Sequence, residues 1–352
     1  PMTSKKVLSY IEVKQNSKIP KYKQIVNSIL TNIANGNFSV NDRIPSINEL
    51  SEEFYLSRDT VEKAYNLLKS KKVISSIPGK GSYISSTELV SKINVFFLIN
   101  KLSSYKLKVY QSFIDRMGDQ AHIDLNVYHC DETMFLNLLD KNIDAYDYFV
   151  IMPHFKTDDL KHVSFTEKTL EAVNKIPDNK LIIMDNIKSN PKENAAKIYQ
   201  NFQEDLFDAL VDGLEIIQKY ENLILIYPEN SLYPYPMRIT RGFKQFCVQY
   251  GFEYEIINEV YEDMELKAGD LYISIEESDL VSLIKLVRKS SLEMGKDVGI
   301  ICYNDTPLKE LLGITAVSTD FARMGETAAD MILENKFESV KNPFFFINRK
   351  ST

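Results

Sequence analysis

Apolar residues recur at helical steps near the start of the chain. From Pro20, the residues Tyr22, Ile25, Val26, Ile29, Leu30 and Ile33 fall three and four apart and predict an amphipathic helix that Gly36 stops. After a polar loop, Pro45 and Ser46 open a second, short helix, with Ser46 as its cap and Leu50 and Phe54 facing inward. Ser57 caps a third, whose buried stripe is Val61, Ala64, Tyr65 and Leu68 and whose exposed N-terminal end carries Arg58, Asp59, Thr60 and Glu62. Two β-rich runs at 73–77 and 82–85, joined by Pro78-Gly79-Lys80-Gly81, read as a hairpin wing. Two helices across a tight turn, the second led by polar side chains, predict a helix-turn-helix, in which the start of the second helix reaches base edges. Glycine lets the wing tip approach a sugar-phosphate backbone closely, and Lys80 adds a positive charge there.

From residue 92 the pattern changes to strand-then-helix units. Apolar runs at 93–99, 124–130, 148–153 and 181–184 alternate with helical stretches near 105–121, 131–142 and 167–175. A second series of runs at 223–227, 254–260, 271–275 and 298–303 alternates with helices near 203–220, 237–250 and 279–293. Such alternation predicts parallel sheets covered by helices, and the strands are too many for one compact sheet. The expected fold is therefore α/β: a winged helix-turn-helix head (1–86), a polar linker (87–91) and a two-lobed body (92–352). Ligands of parallel sheets bind at the carboxyl ends of strands, and between two lobes that places them in the cleft. Polar residues just after strands become the candidates: Asn100, His154, Asp185, Glu276, Asn304 and Asp305.

Charge separates the same two regions. Residues 1–86 carry 13 Lys and Arg against 7 Asp and Glu, a formal +6, which leaves −13 for the rest of a chain whose total is −7. A basic head on an acidic body suits a module that binds a polyanion joined to one that senses something else. With 44% hydrophobic and 26% charged residues the composition is that of a folded globular protein rather than a disordered one. Cys130, Cys247 and Cys302 lie far apart without a CxxC pair, which predicts neither disulfides nor a zinc site, and the four histidines show no metal-binding spacing. The longest apolar runs are strand-sized, no export signal is legible, and a cytoplasmic protein with no membrane partner is expected. Pro1, standing ahead of Met2, reads as a residue added before the natural start. No GxSxG elbow, P-loop or GxGxxG follows a strand, so neither an enzyme nor a cofactor is expected.

Through IPSINELSEEFYLSRDTVEKAYNLLKSKKVISSIPGKGSYI the head resembles the DNA-binding domain of the GntR family of bacterial transcription regulators, from Pro20 to Ile84. The resemblance implies operator DNA as a partner, contacted by Ser46, Ser57, Arg58, Thr60, Gly79 and Lys80. This chain has Asn48 and Glu62 where the family commonly has arginine, so the operator sequence does not carry over.

The remainder resembles the sugar-binding domain of the LacI family, a relative of periplasmic binding proteins. The motifs are KDVGIICYNDTPLKELLGITAVSTDFARMGETAADMILENK at 296–336, the closing FFFINRKS, LIIMDN at 181–186 and RITRGFKQF at 238–246. That likeness implies a small carbohydrate-like effector held by Asp185, Asn304 and Phe321, with Glu276 where an asparagine is usual. Ile239 stands where the family has its sugar-gripping arginine, with Arg238 and Arg241 beside it as substitutes. The whole reads as a DNA-binding homodimer controlled by an effector, since half-sites one turn apart call for two-fold symmetry. The alternatives are a non-sugar effector, or a solute-binding protein or enzyme with a basic head.

Overall fold

The computed structural model describes residues 1–87, 92–158, 162–186, 192, 194–229, 231 and 234–352, the side chains of 162, 185 and 186 excepted. Residues 88–91 of the expected linker lie outside that description. The chain divides into two compact units, Pro1–Lys92 and Ile93–Thr352, called the head and the body below.

The head comprises α1 (Ser4–Leu8), α2 (Lys21–Ala34), α3 (Ile47–Phe54) and α4 (Arg58–Ser70), followed by β1 (Ile74–Ile77) and β2 (Gly81–Ile84) as an antiparallel hairpin. The stripe expected on α4 is the buried one: Val61, Ala64, Tyr65 and Leu68 meet Ile25, Val26 and Ile29 of α2 and Leu50 of α3 in one core. Burying each such aliphatic chain contributes about 1.5–3 kcal/mol. Sequence reading missed α1, which adds Val7 to this core, with Ile11 just beyond it; five residues give too little periodicity to detect.

Among the described residues the body holds two mainly parallel sheets. The first half supplies β3 (Ile93–Ile99), α5 (Ser104–Met117), β4 (Ala121–Val127), α6 (Glu132–Asn142), β5 (Tyr148–Ile151), a small β6–β7 ladder (Phe155–Lys156, His162–Val163), α7 (Glu167–Asn174), β8 (Leu181–Asn186) and β9 (Ala196–Gln200). The second half supplies α8 (Phe202–Asp212), α9 (Leu214–Ile217), β10 (Asn222–Ile226), α10 (Arg238–Tyr250), β11 (Glu253–Ile257), β12 (Asp270–Ser274), α11 (Glu277–Lys289), β13 (Gly299–Tyr303), α12 (Pro307–Leu311) and β14 (Thr315–Thr319). The chain ends with α13 (Phe321–Leu333), β15 (Ser339–Lys341) and β16 (Phe344–Ile347). The first lobe's sheet runs β15-β9-β8-β5-β3-β4 and the second's β11-β10-β12-β13-β14-β16, with only β16 antiparallel to its neighbour among the described pairs.

Central strands are buried on both faces. Val95, Phe97 and Ile99 of β3 enter one core while Phe96 and Leu98 enter another, and in β13 Ile301 and Tyr303 are separated in the same way from Ile300 and Cys302. The run expected at 124–130 is displaced: β4 pairs Ala121 with Ile93 and Val127 with Ile99, and the chain then turns at His129 and Cys130, both with left-handed φ. This is an edge strand in which His122, Asp124 and Asn126 alternate with apolar residues, so the apolar run that guided the reading was partly turn. The single helix expected at 203–220 is broken at Gly213, where a Cβ would lie 2.4 Å from the Phe346 ring of β16.

The chain passes between the lobes at 200–202, 319–321 and 341–344. Thr319 Oγ1 donates to Gln200 Oε1 (3.1 Å), Asn342 N donates to Tyr199 O (2.9 Å) and Asp320 N donates to Pro343 O (3.0 Å), so the three crossings are bonded side by side. After the second crossing α13 returns to lie on α5 in the first lobe. The approach is close because Gly325 has no side chain: a Cβ there would stand 2.2 Å from Val109 O and 2.9 Å from Phe113 N. Gly325→Ala is expected to force these helices apart and destabilise the body by about 1–3 kcal/mol. Denaturant unfolding measures this, and unchanged stability would show that the helices yield without cost.

Candidate functional site

Two regions gather the chemistry, one in each unit. In the head, Ser46 caps α3 in a reciprocal box: its Oγ accepts from Glu49 N (3.1 Å) and its N–H donates to Glu49 Oε2 (2.6 Å). That backbone bond is the main reason the Glu49 carboxyl titrates below its usual range. Ser57 caps α4 by accepting from Thr60 N (3.2 Å), and its Oγ lies 2.8 Å from Thr60 Oγ1. Ser46, Ser57 and Arg58 are exposed and Thr60 half-buried. The α3–α4 turn is held by Leu56 N donating to Ser51 O (2.9 Å), with Tyr55 in a left-handed conformation and 92% exposed. Behind it, the buried Tyr65 hydroxyl donates to Pro45 O (2.5 Å), which fixes α4 against the start of α3.

The wing tip is a turn closed by Lys80 N donating to Ile77 O (3.0 Å), with Pro78 at its second position and Gly79 at φ +74°. Pro then positive-φ Gly is the type II pattern, so the requirement for Gly79 is conformational; open space surrounds its missing Cβ. Tyr83 OH donates to Lys80 O (2.9 Å) and steadies the tip, leaving the Lys80 side chain exposed. The sequence reading passed over Arg43, whose Nε lies 3.1 Å from where a Gly81 Cβ would be, so its guanidinium lies against the wing.

In the body a cavity of about 170 Å³ opens between the two lobes at the carboxyl ends of their strands. Asn100 follows β3, Pro153 and His154 follow β5, and Gln200 ends β9; opposite them stand Ile275 after β12, Tyr303 and Asn304 at the end of β13, and Thr319 ending β14. The structure thus brings together Asn100, His154, Asn304 and Phe321 of the expected set. His154 is positioned by its backbone N–H donating to Tyr128 OH (2.7 Å). Asn304 has a left-handed φ of +70°, its Oδ1 accepts from Thr319 N (3.4 Å) and its carbonyl accepts from Lys309 Nζ (2.9 Å).

Of the other expected residues, Glu276, Arg238, Arg241 and Asp305 are not among the described lining residues. Asp185 is paired through its backbone with Tyr199, and its side chain lies outside the described residues. Glu276 accepts from Ser231 Oγ (3.1 Å) and bonds Tyr235, which lines the cavity. Ile239, buried, lines the cavity; Arg238 and Arg241, expected to substitute there for the family's arginine, are not among the lining residues, and Arg241 is exposed. This follows from helix geometry, since residues one and two positions from an inward-facing one point away from it. Asp305 is committed to a bidentate pair with Arg349 (2.6 and 2.7 Å).

Several lining residues were not anticipated. Lys101 and Lys106 come from the loop and first turn at the start of α5, and the Lys101 ammonium lies 5.2 Å from the Tyr235 ring centre. Tyr105 stacks on Phe321 at 5.2 Å and accepts a hydrogen bond from Lys309 Nζ (2.5 Å), a bond that joins the lobes. Burial holds Lys101 and Lys309 below the usual lysine range and raises the Tyr105, Tyr235 and Tyr303 hydroxyls. Among the described residues Asn100 Oδ1, Gln200 Nε2 and Tyr303 OH find no hydrogen-bond partner, and all three residues line this cavity. Buried polar groups are nearly always satisfied, so three exceptions around one space mark a place for a ligand or water.

Residues 21–84 match the family described as bacterial regulatory proteins, gntR family. Similar curated proteins include the HTH-type transcriptional regulator YdfD of Bacillus subtilis, 36% identical over 22% of this chain and 16% of its own length. The HTH-type transcriptional repressor YtrA of the same organism is 27% identical over 34% of this chain and 86% of its own length. The chain thus spans under a fifth of the first of these. Solved structures similar to it include a LacI family transcriptional regulator from Bifidobacterium animalis subsp. lactis (13% identity, TM-score 0.57, 74% of this chain and 97% of that one). Two others share 74% coverage of this chain and a TM-score of 0.55: a LacI family regulator from Enterococcus faecium with bound ribose (16% identity, 98% of that chain) and the lac repressor dimer bound to operator (14%, 94%). The covered share equals the part of the chain that the body makes up. Residues 21–84 are therefore a GntR-family helix-turn-helix domain, joined to a body with the fold of LacI-type regulators and periplasmic binding proteins.

Proposed function

We propose that this chain is a cytoplasmic transcription regulator whose head holds operator DNA and whose body closes on a small carbohydrate-like effector that changes that hold. The observation that carries the reading is the cavity at facing strand ends, lined by residues such as Asn100, Gln200 and Tyr303 whose buried polar atoms find no partner among the described residues, in the same chain as a GntR-family head. A ligand shifts DNA affinity only by as much as it favours one arrangement of the body over another. The hydrogen-bonded crossings supply a place for the lobes to bend. Carbohydrate is favoured because amides and hydroxyls at the strand ends match groups that both donate and accept, and because fold neighbours are described with ribose and with D-xylulofuranose.

On DNA, the exposed start of α4 is assigned to the major groove and the wing to the backbone. Ser46, Ser57 and Thr60 then serve as both helix caps and phosphate or base contacts, Arg58 reads bases, and Gly79 and Lys80 meet phosphate. Against a duplex selected from a random pool, Arg58→Ala is expected to weaken binding about 10- to 100-fold. Lys80→Ala is expected to weaken all sequences alike and reduce the salt dependence by about one counterion. Fluorescence anisotropy at several salt concentrations measures both, and wild-type affinity in the two variants would remove this face as the DNA interface.

The regulator is proposed to act as a homodimer, because two heads on successive half-sites require two-fold symmetry. Leu308, Leu311 and Leu312 support this: at i, i+3 and i+4 they share one face of α12 and its end, and are 64%, 81% and 53% exposed. A second copy of the chain is assigned to this face. Light scattering is expected to give a dimer for the wild type and a monomer for Leu311→Glu; a dimer in both would move the interface elsewhere.

A further inference from the structure

We propose that Tyr55, at the turn between α3 and α4, is a further DNA-contacting residue whose hydroxyl donates to a backbone phosphate beside the start of α4. This rests on the DNA reading of the head above and adds a residue that neither the helix stripe nor the wing pattern marks. The turn itself has no need of an aromatic. Tyr55 ends α3 with φ +54° and ψ +45°, and its N–H donates to Ser51 O. In that conformation a Cβ crowds the carbonyl oxygen that follows it, a clash that glycine avoids.

The head gains nothing back from the ring. Tyr55 is 92% exposed, and among the described residues its hydroxyl has no hydrogen-bond partner and its ring no aromatic or cationic one. Non-glycine residues held in a left-handed conformation gather where a function requires the side chain.

Its surroundings point to a polyanion. Ser57, the cap of α4, follows two positions later and Arg58 three, so at most about 7 Å of chain separates Tyr55 from that cap. Gln15 Nε2 donates to Phe54 O (2.8 Å) and Lys21 Nζ to Gln15 O (2.7 Å), which draws the Lys21 ammonium toward the end of α3, and Lys14 and Lys18 of the same segment are exposed. Glu52 and Glu53, exposed in the last turn of α3, would offset one more lysine here, whereas a phenol donates to phosphate without a charge of its own. A protein partner would call for apolar neighbours, but Phe54 and Leu56 pack into the core of the head.

The test uses the full chain, a duplex selected from a random pool with a scrambled duplex beside it, and hydrogen exchange read on peptides across α3 and α4. Relief of the backbone clash in Tyr55→Gly is expected to slow that exchange about two- to fivefold. The same variant is expected to bind DNA about tenfold more weakly. Tyr55→Phe, which loses only the hydroxyl, is expected to keep wild-type exchange and to lose as much affinity. Because the lost contact is neutral and made to the backbone, both duplexes weaken by the same factor and the salt dependence stays that of the wild type. Wild-type affinity in Tyr55→Phe overturns the assignment whatever Tyr55→Gly does, and so does an oligomeric state that changes with Tyr55→Gly while affinity holds, which would give the ring to a protein partner. Arg58→Ala is measured alongside: if it alone binds weakly, the α4 face stands and Tyr55 leaves it, and if it too binds at wild-type strength, both readings fall.

Discussion

A parallel strand buried on both faces offers no side chain to solvent along its length, so polar chemistry in such a sheet is confined to strand ends. Both lobes of the body obey this constraint. Alternate residues of β3 and β13 are consumed by separate cores, and the first polar positions after them, Asn100 and Asn304, emerge in the same cavity. The site is less an addition to the fold than the place where its hydrophobic pattern runs out. What distinguishes this cavity is the population of those ends: amides and hydroxyls on one side, lysines beside a helix start on the other.

The head solves a different problem with fewer residues. Its small core is closed by short helices whose ends need partners, and Ser46 and Ser57 supply them while remaining exposed. A serine that caps a helix is held in one orientation by the bond it makes, so any further contact it offers to a phosphate is already positioned. The Tyr65–Pro45 bond sets the angle between the two helices from inside the core. The placement of these helices is therefore set by the same bonds that stabilise the unit.

Much of this was legible in the chain. Helical spacing located α2, α3 and α4, and the caps were identified by residue type alone, because capping is a local interaction. Strand-end reasoning found Asn100, His154 and Asn304 for a similar reason: a buried run followed by a polar residue is written in consecutive letters. What escaped depends on contacts distant in sequence. Gln200 was missed because β9 is five residues of mixed polarity, AKIYQ, recognisable as a strand only when β8 and β15 flank it. Lys309 sits on a short helix with leucines that face outward, and only the fold turns the lysine inward to Tyr105. Arg238 and Arg241 adjoin Ile239 in sequence, but a helix sends neighbours in different directions, and the apolar residue is the one that lines the cavity.

The three passages between the lobes also dictate how the molecule is made. The first lobe is discontinuous: its sheet begins at β3 but is completed by β15, and its helix α5 lacks a covering partner until α13 arrives more than two hundred residues later. During synthesis the second lobe is therefore nearly finished before the first can close. Meanwhile the apolar face of α5 that Gly325 will eventually cover waits exposed. The nascent chain must spend that interval protected or aggregation-prone, a vulnerability set by topology that no substitution inside the cavity would relieve.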